Sequence, residues 1–451
     1  MPTQKQRTAE AGSRLVNNYC DGIPARGNQA LLFLLVMTAY FIQQFNNWNF
    51  GFIAPALAES WGLKPPDIAR IVFWYFIGMT AGGFLGGLAA DRIGRRPAFL
   101  AGLVILSASS LATTFADNLF FFTLTRACTG FGVFAMMVVS TAYIAEVAPA
   151  ESRGRWQSLI AAVGFCAAPL AALVCRLVVP MGPEAWRYIF CFGGLGLVPF
   201  FLGAIYLKES PRWLVNQGRI RDAEFVTRWM TGRDIDLSEA AQQARRGVDW
   251  KTQLFGMFSG RYLKRTLVLI LLFAGLTPAS FLLMVWTPQL LRMQNFSLEQ
   301  TLTISTVITI GVPMGCFLGA LVADHGGRKF PLAVFLSLSA LSTLLFALVS
   351  NPILLAVFGF FVTAFYMAAS FILFSYAAES YPTRMRGACA GVNHGLGRLA
   401  VSATQPLIPL IHTAYGFFGI FMAVAVLFFL PVVPLLLWGL HTAGKSLESL
   451  E

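Results

Sequence analysis

The sequence predicts an all-α membrane protein in which twelve transmembrane helices form two pseudo-symmetric bundles of six. Three observations support this fold class. Hydrophobic residues make up 57% of the chain and charged residues only 12%. About twelve apolar segments are long enough to cross a bilayer, which takes about 20 residues of helix. Two short motifs also recur at one fixed distance along the chain, which indicates a duplicated unit.

The composition excludes several other classes. Soluble domains carry roughly 25% charged residues, so half that fraction over 451 residues argues against a soluble multidomain protein. The net charge of +12 does not indicate nucleic acid binding, because the basic residues lie between apolar segments. The 7 cysteines have no metal-ligand or paired spacing, and we find no nucleophile–base group or phosphate loop. We therefore expect no enzyme activity, no cofactor and no bound metal.

The apolar segments predict the positions of the membrane spans. They lie near residues 29–58, 69–90, 97–116, 118–146, 155–180, 186–207, 264–291, 300–323, 330–350, 352–379, 387–411 and 414–440. Some neighbours are separated by only a few residues, as at Ala116–Asn118. Such short connections make consecutive spans antiparallel.

The basic residues predict how the spans are oriented. Loops rich in Lys and Arg remain in the cytoplasm, and here they alternate with poorer ones, so we expect both termini to be cytoplasmic. The loops after spans two, four, eight and ten carry Arg92, Arg95, Arg96, Arg153, Arg155, Arg328, Lys329, Arg384 and Arg386. The intervening loops carry only Lys64, Arg70, Arg187 and Arg292.

One polar stretch near the middle predicts the domain organisation. It mixes acidic and basic residues and contains helix-like pieces. We expect residues 1–207 to form an N-terminal six-helix half with a cytoplasmic tail, and 208–263 to form a cytoplasmic linker. Residues 264–451 would form the C-terminal six-helix half, also with a cytoplasmic tail.

The two halves share motifs at a constant offset. The segment Asp91–Arg96 follows span two, and the similar segment Asp324–Lys329 begins 233 positions later, after span eight. Glu146, Pro149, Arg153 and Gly154 follow span four, and Glu379, Pro382, Arg386 and Gly387 repeat them at the same offset. Two basic loops that only obey the positive-inside rule would share charge but not this order of residues. Parallel halves of this kind place the substrate site at the midplane between them.

Three motifs carry a family resemblance. Gly87–Arg96 resembles the signature loop of the major facilitator superfamily, and Arg126-x-x-x-Gly130-x-Gly132 resembles its fourth-helix motif. Glu209–Leu214 resembles the sugar-porter and organic-ion branch, in which the pattern is most similar to bacterial aromatic-acid and nicotinate carriers. The resemblance implies a monomeric secondary transporter that works by alternating access in the lipid bilayer of a bacterial inner membrane.

The repeated charged residues are candidates for coupling or gating. They can form ion pairs that latch the halves in one state, or they can serve only to anchor the topology. We favour the latch, because carboxylates add little to orientation and yet recur at matched positions. The candidates are Asp91, Arg92, Arg95, Glu146, Arg153, Asp324, Arg328, Glu379 and Arg386. His325 replaces an arginine in the second copy, which predicts a weaker or pH-sensitive latch.

Charged residues within the spans point to the substrate. Arg398 lies near the middle of span eleven and Arg126 lies about eight residues into span four, whereas the middle third of each span lacks Asp and Glu. Intramembrane charges are costly and usually functional, and arginine can hold a planar carboxylate bidentately. We therefore predict an organic anion as substrate and Arg398 as its anchor, with capping of backbone carbonyls as the alternative. Arg126 is expected to be structural or gating, with a ligand contact as the alternative, and His394 either packs as a neutral side chain or takes part in proton coupling.

Polar and aromatic residues complete the predicted substrate site. Span one carries a run of amides, and aromatic side chains nearby can wall a ring, although packing or lipid contact is the alternative for each. The candidates are Gln43, Asn46, Asn47, Tyr40, Tyr366 and Trp286, with Trp74, Tyr75 and Phe365 as further aromatics.

One departure from the family pattern concerns the energy source. Aromatic-acid carriers typically have an Asp nine residues before the Pro-x-Leu element of span one, and often a second acid three residues earlier. Here Pro55 belongs to that element, and the two positions hold Asn46 and Gln43. We still expect proton-coupled import, through Glu146, Glu379, His394 or the substrate's carboxylate, but exchange and uniport remain alternatives.

Two competing functions follow from the same fold. Efflux antiporters of this superfamily usually have a Gly- and Pro-rich span five, and here Gly164 and Pro169 are flanked by alanines. A transporter-like sensor would need a signalling domain, for which the linker and tail are short. We therefore place import of a small aromatic or other carboxylate first and efflux of a drug or metabolite second.

Overall fold

All regular structure that we describe is helical. The computed structural model describes residues 27–149, 152–233, 236–237, 255–323, 327–381 and 386–440. Within these ranges, eleven helices are long and apolar enough to cross a membrane. One further helix, Arg386–Thr404, takes the place of the eleventh predicted span, and its glycines and polar residues explain why it is less apolar. The predicted all-α membrane fold is confirmed.

We label the membrane helices α1 to α12 in chain order, and pieces separated by a break share one label. The first six are α1 (Asn28–Trp61), α2 (Pro65–Ile93), α3 (Arg95–Thr114), α4 (Leu119–Val147), α5 (Arg153–Phe165 and Ala167–Val178) and α6 (Trp186–Gly194 and Leu197–Tyr206). The last six are α7 (Gly260–Phe281 and Thr287–Met293), α8 (Leu298–Ala323), α9 (Lys329–Leu348), α10 (Pro352–Glu379), α11 (Arg386–Thr404) and α12 (Leu407–Phe429 and Val432–Trp438). The pieces of α7 are joined by a π-helical turn, Leu282–Trp286.

In the described part of the segment between α6 and α7, two short helices lie at Pro211–Asn216 and Ile220–Thr231. They fall within the predicted linker 208–263, and the domain bounds given above remain our prediction.

Proline explains where the membrane helices break. A proline ring removes one N–H donor and crowds the carbonyl four residues earlier. The first pieces of α5, α6 and α12 each end next to such a carbonyl. These breaks lie at Phe165, Leu195 and Leu430, which precede Pro169, Pro199 and Pro434 by four residues. In α7 the π-helical turn contains Met284, four residues before Pro288.

The two bundles repeat their internal contacts at the offset of 233 residues. A Cβ on Gly82 would overlap the carbonyl oxygen of Phe131, and one on Gly315 would overlap that of Ala364. Such glycines let α2 approach α4, and α8 approach α10, at backbone distance. The same offset relates the ion pairs Arg95–Glu146 and Arg328–Glu379. It also relates the caps Asn118 and Asn351, whose side chains accept from the first turns of α4 and α10.

The ends of the bundles can be named by these ion pairs. We call the end that holds Arg95–Glu146 and Arg328–Glu379 the basic end, and the opposite end the far end. At the basic end, Tyr143 donates to the carbonyl of Lys208 (2.7 Å). Its counterpart Tyr376 accepts from the backbone N–H of Leu440 (2.6 Å). In both halves, therefore, a tyrosine of the fourth helix forms a hydrogen bond with the backbone just after the sixth helix of that half.

Helices α1 and α7 cross on the pseudo-twofold axis. Three contacts join residues that are 233 positions apart, and only positions on the axis can meet their own counterparts. Trp48 stacks on Phe281, with ring centroids 5.2 Å apart. A Cβ on Gly51 would lie 2.6 Å from the carbonyl oxygen of Met284. At the far end, Glu59 and Arg292 form an ion pair of 2.7 Å.

Candidate functional site

Arg398 lies at the contact between the two halves. Its guanidinium carbon is 4.8 Å from the ring centre of Phe134 on α4 and 5.1 Å from that of Phe281 on α7. Arg398 itself belongs to α11. Its Nε has no hydrogen-bond partner among the residues that the structure describes. The guanidinium of the predicted anion anchor thus packs against two aromatic rings, one from each half. Its Nε–H remains available to donate a hydrogen bond to a ligand.

Arg126 is more deeply buried, with only 1% of its surface exposed. Its guanidinium carbon lies 4.6 Å from the ring centre of Tyr75 and 5.5 Å from those of Phe50 and Phe190. Within the described ranges its Nε and Nη1 atoms have no hydrogen-bond partner. Aromatic faces stabilise a cation, but they accept no hydrogen bonds from the guanidinium edge, so these donors remain unsatisfied.

A small cavity adjoins Arg126 between the halves. It is lined by Asn47, Tyr75 and Phe76 from the first half and by Phe281 and Val285 from α7. The Tyr75 hydroxyl donates to Asn47 Oδ1 at 3.1 Å. The cavity volume is ≈ 10 Å³, about the space of one water molecule. A ring-sized ligand therefore requires these side chains or the two halves to move apart.

The amide side chains of α1 do not all face the same way. Some face the cavity, and others face the interior of the first six-helix bundle. Asn47 lines the cavity, and Gln43, one turn away, is 1% exposed with its Oε1 unpartnered in the described part of the chain. Asn46 faces its own bundle, where its Oδ1 accepts from the Ser110 hydroxyl at 2.8 Å. Tyr40 packs beside Gly164 of α5. Of the predicted polar set, Asn47 is the residue placed beside Arg126.

Two further aromatic candidates lie within the second half. Trp286 donates through Nε1 to Gln405 Oε1 at 2.9 Å. Tyr366 stacks near Phe428, with centroids 6.1 Å apart, and its buried hydroxyl has no partner in the described residues. Neither residue lines the cavity beside Arg126. Trp74 is 48% exposed on the outer surface.

His394 lies between two rings of the second half. Its ring centre is 4.9 Å from that of Phe273 and 5.1 Å from that of Phe374. It precedes Arg398 by one helical turn on α11. The structure thus places the predicted coupling histidine in an apolar pocket beside the candidate anion anchor.

Charged residues at the basic end form a network within the first half. Arg95 binds Glu146 of α4 at 2.9 Å and Asp91 of α2 at 2.9 Å. The Glu209 carboxylate accepts from the backbone N–H groups of Arg95 (2.8 Å) and Arg96 (3.2 Å). It therefore sits where the N-terminus of α3 favours an anion. The network ties α2, α3 and α4 to the start of the linker.

The second copy of this network is described only in part. Arg328 binds Glu379 at 3.0 Å. Arg92, a further candidate of the first copy, is exposed. Asp324 and His325 lie outside the described residues, as do the side chains of Arg153 and Arg386.

The halves meet towards the far end. The Ser402 hydroxyl of α11 donates to the carbonyl of Phe73 on α2 at 3.4 Å. The far piece of α5 packs along α8, whereas its piece at the basic end has much less contact with α8. With Gly51 against Met284 and Glu59 paired with Arg292, these contacts close the far end over Arg126 and Arg398.

Sequence reasoning missed four of these residues. Phe134 and Phe281 have many apolar neighbours on their helices, so no pattern distinguishes them from packing residues. Glu59 and Arg292 were not predicted as partners, although their spacing of 233 residues equals the repeat offset. That spacing was the available signal, because residues on the axis of a duplicated bundle meet their own counterparts.

Comparison with known proteins agrees with this architecture. A protein similar to this chain, the putative metabolite transport protein YyaJ of Bacillus subtilis, is 30% identical over 448 residues, covering 98% of this chain and 99% of its own length. The niacin transporter NiaP of Acinetobacter baylyi is 28% identical over 401 residues, covering 88% and 91%. The partially occluded inward-open structure of the xylose transporter XylE from E. coli is similar in fold, with a TM-score of 0.77, 19% identity and coverage of 92% and 98%. The family profile described as Major Facilitator Superfamily matches residues 36–405, and the chain therefore belongs to this superfamily of multi-pass membrane transporters, which are not enzymes.

Proposed function

We propose that this transporter imports a small organic anion, an aromatic or similar carboxylate, by alternating access. The observation that carries this proposal is the guanidinium of Arg398, held between Phe134 and Phe281 at the contact of the halves with its Nε unpartnered in the described chain. A cation inside a membrane protein that has no carboxylate partner among the described residues favours an anionic ligand. A carboxylate can accept two parallel hydrogen bonds from a guanidinium.

Aromatic side chains around the cavity support a ring as the rest of the substrate. Tyr75, Phe76 and Phe281 line it, and offset or edge-to-face contacts with such rings stabilise aromatic ligands. The relative that is a niacin transporter supports the same class, because niacin is a ring carboxylate. Asn47 and Gln43 add hydrogen-bonding groups without adding charge.

Import also needs an orientation and a gate. We propose that the basic end is cytoplasmic, by the positive-inside rule, with both termini on that side of a bacterial inner membrane. The far end, closed by Glu59–Arg292, would then be the external gate. The exposed Asp91 and Arg92 would make contacts between the halves when the basic end closes, and the Arg95–Glu146 pair would hold them in place.

Proton coupling is the energy source that we propose. The described spans have no Asp or Glu near Arg398, so His394 is the candidate proton carrier closest to it along α11. Glu146 and Glu379 are candidates at the basic end. We propose that one protein monomer suffices for transport.

A binding screen tests the substrate class. The purified protein would be heated with small carboxylates, neutral amides of the same rings, and sugars, and its unfolding temperature would be measured. A ligand that binds the folded state raises that temperature by mass action. We expect stabilisation by ring carboxylates and not by the matched amides. Stabilisation by sugars or amides alone would contradict the proposal.

A further inference from the structure

We propose that Arg126 forms a second ligand subsite, which takes a hydrogen-bond acceptor at the end of the substrate opposite its carboxylate. This inference rests on the proposed function, because it assumes that Arg398 binds the carboxylate. It narrows the substrate class to ring carboxylates with a second acceptor, such as a ring hydroxyl oxygen or a second carboxylate.

The first support is the unsatisfied donor capacity of Arg126. Only 1% of this residue is exposed, and its Nε and Nη1 atoms lack partners within the described residues. Its contacts are the faces of Tyr75, Phe50 and Phe190. These rings stabilise the charge but leave Nε and Nη1 without an acceptor among the described residues. Arginine offers donors only, so the group that completes this site must be an acceptor.

The second support is the position of the cavity. It is lined by Arg126 and by Phe281, the same ring that contacts the guanidinium of Arg398. Phe281 therefore both contacts the guanidinium of Arg398 and lines the cavity beside Arg126. A planar ligand packed on Phe281 would have one arginine towards each of its ends.

The third support is the length of α4 between Arg126 and the ring that contacts the guanidinium of Arg398. Arg398 lies over Phe134, which follows Arg126 by eight positions on the same helix. Eight residues of α-helix span about 12 Å. A single ring with polar groups at opposite ends, plus a charge-assisted hydrogen bond of about 2.8 Å at each end, matches that length.

The neighbours of Arg126 fit an acceptor as well. The Tyr75 hydroxyl donates to Asn47 Oδ1 and thereby orients the amide. The NH₂ group of Asn47 then remains available as a donor. Donors from Arg126 and Asn47 thus adjoin the same cavity. We find no carboxylate paired with Arg126 in the described part of the chain.

The test compares ligands that differ only at the second end. Binding of benzoate, 4-hydroxybenzoate and terephthalate to the purified protein would be measured by titration calorimetry. Wild type and the variants Arg126→Gln, Arg398→Gln and Arg70→Gln would be compared, the last as a control at an exposed arginine of α2. We expect the two ligands with a second acceptor to bind wild type on the order of tenfold more tightly than benzoate, as for a hydrogen bond to a charged group.

The variants separate the two claims. Arg126→Gln should abolish the advantage of the second acceptor and weaken benzoate less than the other two ligands, while Arg398→Gln should weaken all three ligands. An equal effect of Arg126→Gln on all three, or no effect, would overturn the second subsite while the proposed function stands. If wild type binds none of the three, or if Arg398→Gln is neutral, the proposed function fails and the subsite with it.

A second variant keeps the test decisive if Arg126→Gln does not fold. Tyr75→Phe retains the ring over Arg126 and removes the hydroxyl that orients Asn47. It should reduce the advantage of 4-hydroxybenzoate and terephthalate over benzoate by a few fold. If Tyr75→Phe has wild-type stability and still binds 4-hydroxybenzoate and terephthalate more tightly than benzoate by the wild-type factor, the subsite is contradicted.

Discussion

Glu59 and Arg292 are 233 residues apart in the sequence and form an ion pair of 2.7 Å at the far end. The duplication places them at equivalent positions of α1 and α7, yet one is acidic and the other basic. If both halves carried the same charged residue at this position, the two copies would meet on the axis and repel each other. The divergence of this one pair therefore turns the axis contact into an attractive closure between the halves.

Charge reversal at this pair should loosen the far end. Glu59→Arg should place two cations together and raise access to the central cavity from that side. The effect should be modest, roughly twofold to fivefold, because the pair is partly exposed and such pairs contribute little. The measurement is the labelling rate of a cysteine introduced at Val285, with a reagent that does not cross membranes.

The double reversal Glu59→Arg with Arg292→Glu is the matched control. It restores an attractive pair and should return the labelling rate to the wild-type value. Equal rates in all variants would mean that the pair does not hold the far end closed.

Close approach at Gly51 should be required for the transport cycle. A side chain there would overlap the backbone of Met284 and Val285, so Gly51→Leu should hold α1 and α7 apart and stop uptake. Gly395→Ala on α11 is the control, because a Cβ there meets no atom within 4 Å. Both proteins should fold, as judged by unfolding temperature. Normal uptake by Gly51→Leu would show that the contact is dispensable.

The two repeated ion pairs should contribute unequally to stability. Arg95 and Glu146 are each 13% exposed, whereas Arg328 and Glu379 are 18% and 25% exposed. Removing one partner leaves a desolvated charge. Glu146→Gln should therefore lower the free energy of unfolding by about 1–3 kcal/mol, and Glu379→Gln by less. Thermal unfolding of the two variants shows which substitution costs more stability. A larger loss for Glu379→Gln than for Glu146→Gln would contradict this prediction.

Proton coupling predicts a dependence on the proton gradient. Uptake into proteoliposomes should rise with an inward gradient and fall when a protonophore is added. His394→Gln should remove this dependence and leave exchange of internal for external substrate intact, since exchange needs no net proton movement. Uptake that ignores both the gradient and the protonophore would rule out symport.

The sequence predicted the bundle well because its signals are physical and local. Apolar length, basic loops and the repeat offset fix which segments cross and how they pair. Arg398 became a candidate for the same reason, since a charge in mid-span stands out against an apolar background. The glycines that bring α2 to α4 follow the offset too, as Gly82 and Gly315 show.

The arrangement within the site was harder to predict because it depends on helix rotation. Asn46 and Asn47 are adjacent and chemically identical, yet one faces Ser110 in its own bundle and the other faces the cavity. The polar run of α1 gave no amphipathic pattern that separates them. The role of Phe281 depends on the crossing of α1 and α7, which brings together groups distant in the sequence.

The most direct test of the central claim is uptake of a labelled ring carboxylate by proteoliposomes containing the Arg398→Gln variant. Arg398→Lys tests whether charge alone suffices, and Arg70→Gln controls for the general effect of losing an arginine. We predict that Arg398→Gln lowers uptake by at least about tenfold while the protein stays folded, that Arg398→Lys recovers little because it cannot bind bidentately, and that Arg70→Gln transports normally. Wild-type uptake by folded Arg398→Gln would contradict the account.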